Sequence, residues 1–177
     1  KENIPEKDGF MFFPNHQGMY DVLAIVEACS HPFSVVAKKE VENVQFLKQV
    51  FKCMKAYTMD RSDVRQAMKV ITAVSKEVEN GRNYLIFPEG TRSKNGNHVQ
   101  EFKGGSFKAA TKAKCPIVPV ALIDSFKPFD TKTISQVDVQ VHFLKPMHYE
   151  EYKDMKTLEI AEEVKRRIEE VIKENER

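Results

Sequence analysis

Two uninterrupted apolar runs limit what this chain can fold into. Tyr84-Leu85-Ile86-Phe87 and Ile117-Val118-Pro119-Val120-Ala121-Leu122-Ile123 have no polar alternation. A strand that is apolar on both faces must be covered on both, as in a parallel sheet with helices on either side. The segments around these runs fit that architecture. Residues 9–13 and 32–37 read as strands, and 56–59 as a short one. Helical spacing runs over 19–29 and over 40–54, the latter through Val41, Val44, Phe46, Leu47, Val50, Phe51 and Met54. A third helix is expected from an N-cap at Ser62 to about Asn80, with Val64, Met68, Ile71, Val74 and Val78 on its stripe and Gly81 as its stop. A short helix over 105–113 precedes the run 117–123. Val137, Val139, Val141 and Phe143 alternate strictly, which predicts a strand over 136–144 with one wetter face. Leu158, Ala161, Val164, Ile168 and Val171 form one stripe of a helix over about 156–175 that packs on the sheet. The loops are 93–101 and 124–134. This order predicts an α/β fold, a single domain over 1–177 with a mostly parallel central sheet flanked by helices.

Composition removes several functional classes. Hydrophobic residues make up 41% and charged residues 31%, which is enough core and too little bias for a disordered chain. The net charge of +2 is too small for a nucleic-acid binder, but leaves room for local basic sites facing a phosphorylated ligand or an anionic membrane. Cys29, Cys53 and Cys115 are odd in number, widely spaced and without a CxxC pair. They are expected to be buried small apolar residues in a reducing compartment, with no disulfide and no zinc site. No apolar run approaches the roughly 18 residues of a membrane span, and no signal peptide is present.

The polar clusters follow the apolar runs. Asn15-His16-Gln17-Gly18-Met19-Tyr20-Asp21 follows the first strand, Lys38-Lys39-Glu40 the second, Asp60-Arg61 the third and Pro88-Glu89-Gly90-Thr91-Arg92-Ser93 the fourth. In a parallel sheet, ligand sites gather beyond the carboxyl ends of the strands, so all four clusters should meet at one edge. His16 and Asp21 are five positions apart, about 500° around a helix and thus about 140° off face. They meet only if His16 lies on the turn and Asp21 on the first helical turn. In that case Asp21 orients one ring nitrogen and leaves the other free to take a proton. The alternative is plain helix-start chemistry, with Asn15 as cap, Asp21 at the positive helix end and His16 incidental. Arg61 and Arg92 suit bidentate phosphate contact or a surface ion pair. Gly90 permits close backbone approach, and Lys103-Gly104-Gly105 offers amides and a charge. There is no GxSxG elbow, no P-loop pattern and no metal-ligand spacing of histidines. A lone His–Asp base beside cationic anchors points to direct attack by a substrate hydroxyl.

NHQGMYD, followed in order by AKKEV, MDRSDVRQA, FPEGTRS and VPV, resembles the glycerolipid acyltransferase family, nearest to the lysophosphatidic acid acyltransferases. The resemblance runs from about residue 4 to residue 144. It implies His16 as general base and Asp21 as its partner. It also implies Lys38, Arg61, Glu89, Gly90, Thr91 and Arg92 as contacts to the phosphate and glycerol of the acceptor, and Pro119 on the acyl-donor side. Met59 stands where the family often has an aromatic residue or Ile. The implied reaction moves an acyl group from acyl-CoA or acyl-carrier protein to the sn-2 hydroxyl of 1-acyl-glycerol-3-phosphate, with no cofactor, no metal and no covalent acyl-enzyme. Glycerol-3-phosphate or another lysophospholipid as acceptor, a thioester hydrolase, and a non-catalytic lipid-phosphate module are the alternatives. The resemblance further implies a membrane surface as partner, at the cytoplasmic face, by peripheral contact or through an N-terminal anchor absent from this chain.

Overall fold

A computed structural model of the chain describes residues 3–39, 45–60, 62–131 and 135–176. In chain order the elements are β1 (Met11–Pro14), α1 (Asp21–Ala28), β2 (Phe33–Lys38), α2 (Gln45–Cys53), β3 (Tyr57–Met59), α3 (Val64–Glu79) and β4 (Asn83–Ile86). A 3-10 turn (Gly104–Phe107) runs into α4 (Lys108–Ala113), followed by β5 (Ile117–Ile123), α5 (Lys127–Asp130), β6 (Gln140–Phe143), α6 (Tyr149–Tyr152) and α7 (Thr157–Asn175). The first part of the 40–54 helix expectation lies outside the described residues.

The strands form one sheet in the order β3-β2-β4-β1-β5-β6. All neighbours pair in parallel except β5 and β6. Side-chain alternation divides the core into two layers. Met11 and Phe13 of β1, Tyr84 and Ile86 of β4, and Ile117, Ala121 and Ile123 of β5 face α3, α4 and α7. Phe10, Phe12, Leu85, Val118, Val120 and Leu122 face the other way, with Ile25 of α1. The continuous apolar runs are therefore explained: each strand carries a core on both faces.

Where the outcome departs from the sequence pattern, the reason is local. Asp63, not Ser62, caps α3, accepting from the amides of Arg65 and Gln66. The Ser62 hydroxyl is spent on Asp60. Val64 and Met68 are exposed, because α3 starts beside the edge strand β3, whose own residues are only half-buried. The buried arc is Val70, Ile71, Val74 and Val78. The strand expected over 136–144 is confined to 140–143, since its pairing starts at Ile123↔Gln140 and β5 offers no partner beyond Ile123. Leu158 is exposed, while Ala161, Val164 and Ile168 of α7 are buried. Of the three free cysteines only Cys115 is buried, and burial pushes its thiol up to about 12; Cys29 is half-buried and Cys53 exposed.

Candidate active site

The topology builds a crevice before any side chain is considered. β1 and β4 are neighbours, but β1 leads to α1 on one face while β4 leads to α4 on the other. Their outgoing loops diverge, which is where an open α/β sheet leaves room for a ligand. His16 lies just past β1, Glu89 just past β4, and Asp124-Ser125 just past β5 on the other side of β1.

His16 Nδ1 and Asp21 Oδ2 are 2.7 Å apart. Asp21 opens α1 and is fully buried. Its Oδ2 also accepts the Gln17 amide at 2.7 Å, and its Oδ1 accepts the Gly18 amide at 2.9 Å and the Ser125 hydroxyl at 2.6 Å. Both oxygens thus already accept from protein donors. Asp21 acts as an acceptor toward the ring as well, so Nδ1 carries the hydrogen and Nε2 the lone pair of the neutral imidazole. Among the described residues Nε2 makes no hydrogen bond. The ring stacks on Phe87 with centroids 3.9 Å apart and planes 22° from parallel. The reading of Asn15 as a helix cap fails: its side chain pairs with β5 instead, Nδ2 donating to Leu122 O and Oδ1 accepting Leu122 N. That pairing extends β1 sideways and sends His16 off at the sheet edge.

The loop after β4 grips the backbone of His16 from both sides. Glu89 Oε1 accepts the His16 amide at 2.7 Å, and the Ser93 amide donates to His16 O at 2.7 Å. Glu89 Oε2 accepts Gln100 Nε2 at 2.8 Å, and Gln100 Nε2 also donates to Thr91 O. Glu89 is buried with both oxygens engaged by protein donors, so in this structure it braces the loops. Burial pushes its carboxyl above the usual range, partly offset by the His16 amide and Gln100. Gly90 sits at φ +82°, left-handed backbone that glycine tolerates, and its amide closes a turn on Phe87 O. Thr91 and Arg92 are exposed on the same edge, and among the described residues Arg92 makes no ion pair. Lys38 ends β2 and is exposed. Arg61 lies outside the described residues. Pro119 is buried within β5, opposite Phe13 and on the face covered by α3, α4 and α7, where its carbonyl accepts Leu144 N. Lys103 heads the 3-10 turn and its amide donates to Pro88 O, which ties that turn to the same loop.

Four residues of this network carry no sequence signal of their own: Gln17, Gln100, Ser125 and Asn97, whose side-chain oxygen accepts Gln17 Nε2 at 2.7 Å. The rule that sites collect at strand ends points to Asp124-Ser125 after the fifth apolar run, but a serine there announces no chemistry by type alone.

Comparison with known proteins fits this arrangement. The family model described as Acyltransferase matches residues 1–123, a stretch that holds β1 to β5 and every residue of the His16 pocket except Asp124 and Ser125. The chain belongs to the Acyltransferase family. A 1-acyl-sn-glycerol-3-phosphate acyltransferase of Borreliella burgdorferi is 32% identical over 143 residues, covering 80% of this chain and 57% of that protein. One of Saccharomyces cerevisiae is 29% identical over 178 residues, covering 98% of this chain and 58% of that protein. The acyltransferase chain thus spans a little over half the length of these relatives. Its fold is shared with the crystal structure of the 1-acyl-sn-glycerophosphate (LPA) acyltransferase from Thermotoga maritima, at a TM-score of 0.76 and 24% identity over 96% of this chain and 69% of that one.

Proposed function

We propose that the chain transfers a fatty acyl group from an acyl-thioester to the sn-2 hydroxyl of 1-acyl-glycerol-3-phosphate, giving phosphatidic acid. The observation that carries this reading is the His16–Asp21 contact, with Nδ1 held at 2.7 Å and Nε2 without a hydrogen-bond partner among the described residues. The names of the relatives support the acceptor.

In the reaction, Nε2 takes the proton of the acceptor hydroxyl as its oxygen attacks the thioester carbonyl. Asp21 stabilises the imidazolium that forms. The tetrahedral intermediate collapses, the carbon–sulfur bond breaks, and the imidazolium returns its proton to the departing thiolate. A thiol of pKa about 8.5 leaves readily, so little acid assistance is required. Arg92, with Lys38 and Arg61, holds the acceptor phosphate and supplies the proximity that makes the attack effectively intramolecular. Glu89 and Gly90 act through loop geometry, and Thr91 offers a hydroxyl to the glycerol part. The acyl donor is acyl-CoA or acyl-carrier protein.

The acceptor is a bilayer lipid, so we assign the lipid contact to the exposed apolar face of α1, the helix that Asp21 opens. Met19 in the turn before α1, and Leu23 and Val26 on α1, are 51%, 51% and 49% exposed and recur at helical spacing. Among the described residues no helix is long and apolar enough to cross a membrane.

The test offers 1-oleoyl-lysophosphatidic acid, glycerol-3-phosphate or water against oleoyl-CoA or oleoyl-carrier protein. Acyl transfer to lysophosphatidic acid is the expected outcome. His16→Ala should lower it by about 10²–10⁴-fold with an unchanged melting profile. Near-normal turnover by that variant would remove the base assignment. Release of free oleate without an acceptor would make the chain a hydrolase.

A further inference from the structure

We infer that Ser125 is a positioning residue for the base, holding Asp21 from the far side of the crevice; the inference rests on His16 being that base. Ser125 is fully buried, so it meets no substrate. What it meets is the carboxylate that meets the ring.

The direction of its hydroxyl follows from backbone groups that have no freedom to turn. The Asp124 amide donates to Asn97 Oδ1 at 2.8 Å, which makes that oxygen an acceptor. Gln17 Nε2, 2.7 Å from the same oxygen, must then be the donor to it. Gln17 Oε1 is consequently the acceptor end, and it takes the Ser125 amide at 2.9 Å. The Ser125 hydroxyl stands 2.9 Å from that oxygen and 2.6 Å from Asp21 Oδ1. One hydroxyl proton faces two acceptors, and the carboxylate is both the closer and the charged one. The hydroxyl therefore donates to Asp21.

The chain is built to bring Ser125 this close. A Cβ on Gly18 would lie 2.9 Å from Phe126 Cα and 3.2 Å from Ser125 O. Only a residue without that carbon lets the loop after β5 close on the 17–21 turn. The other charged groups nearby are spoken for: Glu89 braces the His16 backbone, and Asp124 pairs with Lys127 at 2.8 Å. Removing the Ser125 hydroxyl thus changes one thing at the base, the number of donors on Asp21. A carboxylate with one donor fewer is less firmly oriented and attracts the imidazolium proton more strongly.

Ser125→Ala should lower kcat about tenfold for oleoyl transfer from oleoyl-CoA to 1-oleoyl-lysophosphatidic acid, with both KM values within about twofold. The acid limb of its kcat/KM profile should move up by at most about one pH unit. An NMR titration of the His16 ring, with no substrate present, should move the same way. Ser125→Thr, which keeps the hydroxyl, should restore rate and titration together. Wild-type kcat with an unmoved titration in Ser125→Ala would overturn the inference, as would a Ser125→Thr no better than Ser125→Ala. If Ser125→Ala does not fold, Ser125→Cys carries the test: it fills the site with a weaker donor, and a wild-type rate and titration in it would also overturn the inference. Turnover that survives His16→Ala would remove the base reading and with it the catalytic role of Ser125, an outcome kept distinct because the titration reports the Ser125–Asp21–His16 coupling without any reaction.

Discussion

Glu89 is the residue whose chemistry is least like its type. A carboxylate in a motif beside an exposed arginine reads as a ligand contact, yet its oxygens face the His16 amide and Gln100. Burial raises its folded-state pKa above the unfolded value. A raised carboxyl binds its proton more readily in the folded chain, so ionising it costs stability, and that cost is relieved as pH falls through the folded value toward the unfolded one. Glu89→Gln removes this titration and turns one acceptor into a donor facing Gln100. The wild type should therefore gain stability relative to Glu89→Gln as pH falls from neutrality toward the ordinary carboxylate range in urea melts. The variant should also lose about tenfold in kcat, since the His16 backbone is less firmly held. A stability difference that does not vary with pH would put the burial argument aside. Spacing alone left the His16–Asp21 contact open; the clusters at the neighbouring strand ends and the family resemblance they carry made it legible. Glu89 as a brace was not, because its partner Gln100 is eleven residues on in a loop with no pattern.

Among elements, those with a strong period were readable and those defined by a neighbour were not. β5 coincides with the apolar run 117–123 and α7 with the stripe over 156–175, give or take a residue. The strand over 140–143 is short for a tertiary reason, the end of β5, that no local alternation reports. The contact between the turn before α1 and the loop after β5 is of the same kind. Gly18 reads as a turn residue, but its lack of a side chain is used for packing against the backbone of Ser125 and Phe126. Gly18→Ala sets a new methyl against main-chain atoms that cannot swing aside, so one of the two loops must shift. It should cost about 1–3 kcal/mol of stability in denaturant melts and lower kcat with it. Full stability in Gly18→Ala would mean that the two loops separate without cost.

For the whole molecule, the question is which force brings this edge of the sheet to a lipid surface. The net charge of +2 is spread over 28 basic and 26 acidic residues, so the chain as a whole has little long-range pull toward anionic lipid. The apolar stripe Met19-Leu23-Val26 is local, runs along the helix that Asp21 opens and the turn before it, and would gain about 1.5–3 kcal/mol for each large side chain fully withdrawn from water. The two forces respond differently to salt, because exposed charges are screened within roughly 10 Å at 0.1 M while apolar burial is not. Binding of the chain to phosphatidylcholine vesicles, read by co-sedimentation, should weaken about tenfold or more in Leu23→Glu and change little between 0.1 and about 0.5 M salt. Leu23 faces outward on α1, so the folded core and the His16–Asp21 distance do not depend on it, and a melt equal to wild type isolates the surface effect. Binding that collapses with salt and ignores Leu23→Glu would instead assign the contact to the lysines at the strand ends, Lys38 and Lys39, and the acceptor would then be drawn in by its phosphate before its chain.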